Sequence, residues 1–325
     1  MSPDLIDLLI CRIPALKGNE RIELAKKFDK EDHFSILSKR DLENIIERPL
    51  EDRNWNMDEI RAAAEKDDEA ARKLGIRRVS WREAAYPPLL REIFDPPLVL
   101  YYRGNLPDPG RPLVAMVGTR KPSQAGAGRA FVLARELGAE GISVVSGLAL
   151  GIDTMAHRGN IEGKGRTLAV LGSGIDHVYP SSNRDLARRI VETGGVILSE
   201  FPPGTGPLKW NFPARNRIIS ALARGTLIVE APEKSGALIT ARFALEQDRD
   251  LWVDKDGVVS GRSPGTAALA ADGAGLISSA LEILKEWNVE SKNGSGKEQQ
   301  NGTARRDDSG AGLASSLAEY LDIKL

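Results

Sequence analysis

Two different spacings of apolar residues divide the chain. Up to about residue 75, apolar positions recur at three- and four-residue intervals among charged ones, as in ERIELAKKF and MDEIRAAAEKDDEAARKL. That period lays one apolar stripe along each helix, so residues 1–75 are expected to form a small helical domain. LKGNERIELAKKF also has the outline of a helix-hairpin-helix with Gly18 in its turn; a plain helical bundle is the competing expectation. Beyond residue 112 the apolar residues come in short unbroken runs: LVAMVG (113–118), ISVVSG (142–147), TLAVLGSG (167–174), GVILSE (195–200), TLIVEA (226–231) and DLWV (250–253). Runs that are continuous rather than alternating suit strands covered on both faces. Helical stretches such as AGRAFVLARELGAEG and ALITARFALEQ separate them. The expected fold is therefore α/β, a doubly wound, mostly parallel Rossmann-like sheet over residues 112–288.

The flanking segments differ in kind. Residues 76–111 are proline-rich, with YPPLLREIFDPPLVLYYRGNLPDPG at their centre, and are expected to pack on the sheet domain. Residues 289–311 are polar and glycine-rich, the composition of a disordered linker. Residues 312–325 have the length of one short amphipathic helix, too little for a further domain.

Composition narrows the classes. With 325 residues and a formal net charge of -1, the chain has no global bias toward nucleic acid or membrane, so any polyanion site must be local. Cys11 is its single cysteine, which leaves no disulfide framework and no Cys-based zinc site. The opening MSPDLIDLLICRI carries Asp4 and Asp7 where a signal peptide needs positive charge, and no later stretch approaches a membrane span. A cytoplasmic protein is expected.

In a parallel sheet every strand ends at one edge, and ligands bind there. Here the strands run into small residues: Gly118-Thr119-Arg120, Ser146-Gly147, Gly172-Ser173-Gly174 and, after the fifth, Lys234-Ser235-Gly236. Glycine permits close backbone approach, and the helices after these loops aim N–H groups at the same rim. An anion site is the consequence. A dinucleotide is a poor fit, because VGTRKPSQAGAG lacks the G-x-G-x-x-G order and the second strand ends in Ser146-Gly147 rather than an acid. No phosphate-binding G-x-x-x-x-G-K-[ST] occurs, and Ser173 lies outside any G-x-S-x-G. His157, four residues after Asp153, has the spacing of an intrahelical cap and pair rather than of a catalytic dyad. No metal-ligand cluster is apparent, and no cofactor is expected.

What remains is phosphate binding without visible chemistry. Arg120, Lys121, Lys209, Arg215, Arg217 and Lys234 are the candidate cations. The segment GPLKWNFPARNRIIS (206–220) adds Trp210 and Phe212 with no acid among them. Phosphates along a strand need spaced cations, and splayed bases need rings to stack on. Stacking is the expected role of Phe212; Trp210 fits a stacking ring and a core residue equally.

These segments together resemble a known family. VGTRKPS, SGLALGIDTMAH, LAVLGSGIDHVYP, LSEFPPGTGPLKWNFPARNRIIS and EAPEKSGALITARFAL are similar to the Rossmann-like core of the DprA/Smf DNA-processing proteins, and YPPLLREIFDPPLVLYYRGN looks like that family's lead-in segment. The resemblance covers about residues 80–285. It implies a non-enzymatic single-stranded DNA binder that protects incoming DNA during natural transformation and loads RecA recombinase onto it. It places Arg120, Lys209 and Phe212 on the strand, and Ser123 and Asn216 belong to the same motifs. It also implies a helical N-terminal domain similar to a sterile-alpha-motif fold, and a homodimer made through the end of the sheet domain. Leu269, within the nearly uncharged PGTAALAADGAGLI, is the expected dimer contact and its most exposed apolar position. The chain departs from the family at Ala125, where an aromatic is common, at Asp248-Arg249, where Gly-Arg is common, and around residues 254–262. The alternatives are a phosphoribohydrolase-like enzyme, which would need P-G-G-x-G-T-x-x-E where this chain reads EKSGALITARFALE, or a nucleotide sensor of the same broad fold.

Overall fold

The computed structural model describes residues 5–29, 34, 36–50, 55–259 and 263–291. The linker and terminal helix expected at 289–311 and 312–325 fall outside these residues from 292 onward. The chain divides into two compact units, 1–280 and 281–325.

The first unit opens with α1 (Leu5–Arg12), α2 (Gly18–Lys27), α3 (Lys39–Ile46) and α4 (Met57–Lys73). Local sequence starts the last two. The Ser38 hydroxyl accepts the Asp41 N–H while the Asp41 carboxylate accepts the Ser38 N–H, a reciprocal cap. The Asn56 side chain accepts the Asp58 N–H at 3.0 Å. Gly18 is the first residue of α2, not the apex of a hairpin turn.

Then comes the sheet. Its strands are β1 (Arg77–Ser80), β2 (Val99–Gly104), β3 (Leu113–Val117), β4 (Ser143–Ser146), β5 (Leu168–Val170), β6 (Val196–Ser199), β7 (Gly225–Ile228), β8 (Asp250–Asp254) and β9 (Gly275–Ile277). They lie in the order β1-β2-β6-β5-β4-β3-β7-β8-β9. All pairings are parallel except β1 with β2 and β2 with β6. The crossovers are α6 (Gln124–Ala139), α7 (Ile152–Glu162), α8 (Arg184–Glu192), α9 (Asn211–Leu222), α10 (Gly236–Glu246) and α12 (Pro264–Ala271), with short helices α5 (Pro88–Arg91) and α11 (Lys255–Val259) beside them. The second unit is described from 281 to 291 and continues the helix α13 (Ala280–Glu286).

The continuous apolar runs are explained by their alternate use. Leu168 and Val170 join one apolar cluster, with Ile218, Leu222 and Ala241 from the helices above them. Ala169 and Leu171 join the other, with Leu9, Leu24 and Ile190. Val196 and Leu198 face as the first pair does, and Ile197 as the second. Each such side chain contributes roughly 1.5–3 kcal/mol by leaving water. The N-terminal helices thus share one of the sheet's two cores. The proline-rich segment packs on the sheet by joining it, since its runs around Val79 and Leu100 become the antiparallel strands β1 and β2.

Two departures from family pattern have a local account. Asp248 has a φ of 55°, the left-handed conformation glycine takes most easily and Asp tolerates better than most residues. The neighbouring Arg249 donates to the Leu89 carbonyl at 2.9 Å. In the 254–262 loop, residues 255–259 form α11 and 260–262 lie outside the described residues.

One expectation needs correcting. Leu269 is partly buried against the sheet core, not the most exposed apolar position of its segment. Leu276 on β9 is 50% exposed.

Candidate nucleic-acid interface

Strand order reverses between β3 and β7, so the loops after these strands part and leave a crevice. An open cleft of about 710 Å³ occupies that place. The loop after β3 lines it with Gly118, Thr119 and Arg120, the loop after β7 with Lys234 and Ser235. The start of α9 closes it with Lys209, Phe212, Arg215 and Asn216, and Tyr179 reaches in from the loop after β5.

The loop after β3 is held rigidly. The Thr119 N–H donates to the Glu230 carbonyl at 2.7 Å, and the Ile152 N–H donates to the Thr119 carbonyl at 3.2 Å. Ser123 caps α6 by accepting the Gly126 N–H at 3.0 Å. Arg120 therefore stands exposed on a fixed base. Its guanidinium carbon lies 5.8 Å from the centroid of the Phe212 ring.

Phe212 is the second residue of α9 and half-buried. Its ring meets Tyr179 at 5.6 Å and 52°. Behind it stands Gly172, where an added Cβ would come within 2.9 Å of the ring, so glycine leaves the ring its seat. Trp210 is 70% exposed, which removes it from the core. Arg120, Lys121, Lys209 and Lys234 are exposed and make no ion pair among the described residues.

Several candidate residues stand elsewhere. Arg217 is not a free cation, because it pairs with Glu200 and, at 3.0 Å, with Asp95. The acids come from distant positions, so the acid-free stretch 206–220 concealed them. Arg215 reaches the cleft floor but is 4% exposed. Its guanidinium donates to the carbonyls of Gly147, at 2.9 Å, and Val170. Burial draws its pKa down to about 10, against the opposing effect of Asp153. Ser146 donates its hydroxyl to Met116, Ser173 donates to His177, and the Gly174 N–H donates to Thr205. With Gly147, Gly172 and Ser123, these residues support the cleft without lining it.

Asp153 and His157 do not pair within α7. The Asp153 carboxylate accepts the N–H groups of Gly147 at 3.1 Å and Ala149 at 3.3 Å. His157 Nδ1 meets the Thr167 hydroxyl at 2.7 Å, and burial lowers its pKa to about 3, leaving it neutral. Sequence reasoning also passed over Tyr179 and Glu230. Glu230 had a signal, since an acid ending the apolar run TLIVEA requires partners. Among the described residues no group of three or more His, Cys, Asp or Glu is placed to hold a metal ion, and no helix is long and apolar enough to cross a membrane.

Residues 77–288 match the family model described as DNA recombination-mediator protein A. The chain is 36% identical over 300 residues to a DNA processing protein DprA of Bacillus subtilis, covering 88% of this chain and 96% of that one. It is 40% identical over 200 residues to protein Smf of Escherichia coli, spanning 62% of this chain and 54% of that one. The X-ray structure of DprA from Streptococcus pneumoniae superposes with a TM-score of 0.72 at 33% identity, covering 88% of this chain and 98% of that one. DNA processing protein A from Helicobacter pylori, whose single-stranded DNA binding mode was the subject of its structure, superposes at 0.59 with 31% identity, covering 66% and 95%. Matched in sequence through the whole sheet and in fold through both faces of it, the chain belongs to the DNA recombination-mediator protein A family, the DprA/Smf proteins.

Proposed function

We propose that the cleft binds single-stranded DNA, and that the protein acts in the cytoplasm as a homodimer to protect incoming DNA and hand it to RecA in natural transformation. One observation carries the strand-binding step. A half-buried ring, Phe212, is seated on Gly172 beside Arg120 in the cleft, with Lys209, which makes no ion pair among the described residues, three positions before it. Cations at the rim take phosphates, and the ring takes a base. The relatives named DNA processing proteins, and the Helicobacter pylori structure of single-stranded DNA binding, support the same assignment. The RecA step and the dimer rest on the family resemblance. The protein is proposed to bind rather than to catalyse.

Binding of a labelled oligonucleotide, single-stranded and duplex, at two salt concentrations tests this. The single strand should bind more tightly, because only it offers exposed bases, and both affinities should fall as salt rises. Equal affinity for the duplex would remove the role given to the ring. Release of free base from a nucleoside monophosphate would instead establish a phosphoribohydrolase.

A further inference from the structure

In nucleotide-binding sheets of this class, the first loop and the N-terminus of the first helix hold a pyrophosphate. Here that place is already filled. The Glu230 side chain, 7% exposed, comes across from the end of β7 and accepts the Ser123 N–H at 3.1 Å on each oxygen and the Ser123 hydroxyl at 2.7 Å. Gly126 makes room for it, since a Cβ there would lie 3.0 Å from the Glu230 carboxyl carbon. Glu230 makes no ion pair among the described residues, so these donors at the head of α6 are its compensation for leaving water. The loop after β4 repeats the arrangement, its Gly147 and Ala149 N–H groups being taken by Asp153.

Building on the strand-binding role above, we propose that Glu230 is an internal anion that occupies the nucleotide-phosphate seat of this fold and thereby positions Arg120. The cleft is left to select a polymeric strand, held by side chains, over free pyrophosphate-bearing nucleotides. The mechanism is direct. Glu230 grips Ser123 through its side chain and Thr119 through its carbonyl, on either side of Arg120. An anion that merely sat nearby would weaken the binding of a polyanion. One that fixes Arg120 strengthens it, and the two roles predict opposite signs.

Anisotropy of a labelled oligothymidine with the wild type, Glu230→Gln, Arg120→Ala and the double variant decides between them. Glu230→Gln should weaken strand binding about fivefold, equivalent to about one contact, and lower the salt slope by about 0.7, one phosphate. The double variant should be no weaker than Arg120→Ala alone, because both act through one contact. Ser123→Ala, which removes the hydroxyl donor to Glu230 but keeps the Ser123 N–H, should weaken binding in the same direction, so the test survives if Glu230→Gln melts early. ADP and NAD should fail to displace the strand from the wild type at micromolar concentration. Unchanged or tighter binding by folded Glu230→Gln, multiplicative loss in the double variant, or displacement by micromolar ADP would each overturn the proposal while leaving strand binding intact. A wild type that binds no strand overturns both.

Discussion

Lys209 and Phe212 stand three residues apart at the head of α9 yet are expected to act by different physics. An exposed lysine with no ion pair among the described residues neutralises a phosphate and releases counterions, so Lys209→Ala should weaken binding and lower the salt slope by about 0.7. A stacked ring releases none. Phe212→Ala should cost about 1–3 kcal/mol of binding with the slope unchanged. Titrations across salt concentrations, run beside thermal unfolding, separate the two. A Phe212→Ala protein whose binding loss merely tracks its lost stability would place the ring in the core instead. The sequence singled out both residues by type and spacing, and both line the cleft. The pairing of Arg217 was not legible there. Its partners Asp95 and Glu200 are remote in sequence, and only folding sets them against it.

At the scale of elements, α9 is both a wall of the cleft and a tie between parts of the fold. Arg217 joins it to Glu200 just past β6 and to Asp95 beyond α5, while the Arg215 guanidinium joins it to the loop after β4 and to the last residue of β5. Removing one partner leaves a poorly hydrated carboxylate, so Arg217→Ala should lower stability by about 3 kcal/mol. Where it remains folded, its strand affinity and salt slope should match the wild type. A folded Arg217→Ala with a lowered slope would return this arginine to the phosphates. The runs expected as strands became β3 to β8, because six continuous apolar stretches suit no place but a sheet covered on both faces. β1 and β2 escaped notice for a physical reason. Pro96 and Pro97 stand just before β2, and β1 is a four-residue antiparallel edge strand with little apolar length to show.

For the whole molecule, the proposed dimer directs attention to the sheet's far end. β9 is the edge strand at this end, and Leu276 on it is half exposed. An edge with an apolar side chain invites a second copy. Leu276→Glu should therefore give folded monomers where the wild type sediments as a dimer, and the monomer should hold a long strand more weakly for want of a second linked site. Leu269→Glu tests the point poorly, because that side chain already packs on its own core and a charge there strains the fold. Wild-type protein that sediments as a monomer at tens of micromolar would end the dimer proposal.

By itself the sequence determined the layered architecture and singled out the strand-end rim and Arg120, Lys209 and Phe212, which line the cleft there. Each depends on periodicity, strand ends or surface chemistry, which are properties of short segments. Tertiary structure alone decided which cations remain free. It withdrew Arg215 into the cleft floor, paired Arg217 with acids from other elements, and exposed Trp210. It also carried the Glu230 carboxylate across the switch point to the head of α6. A buried charge takes its meaning from the donors folding sets around it, and those come from segments far apart in the chain.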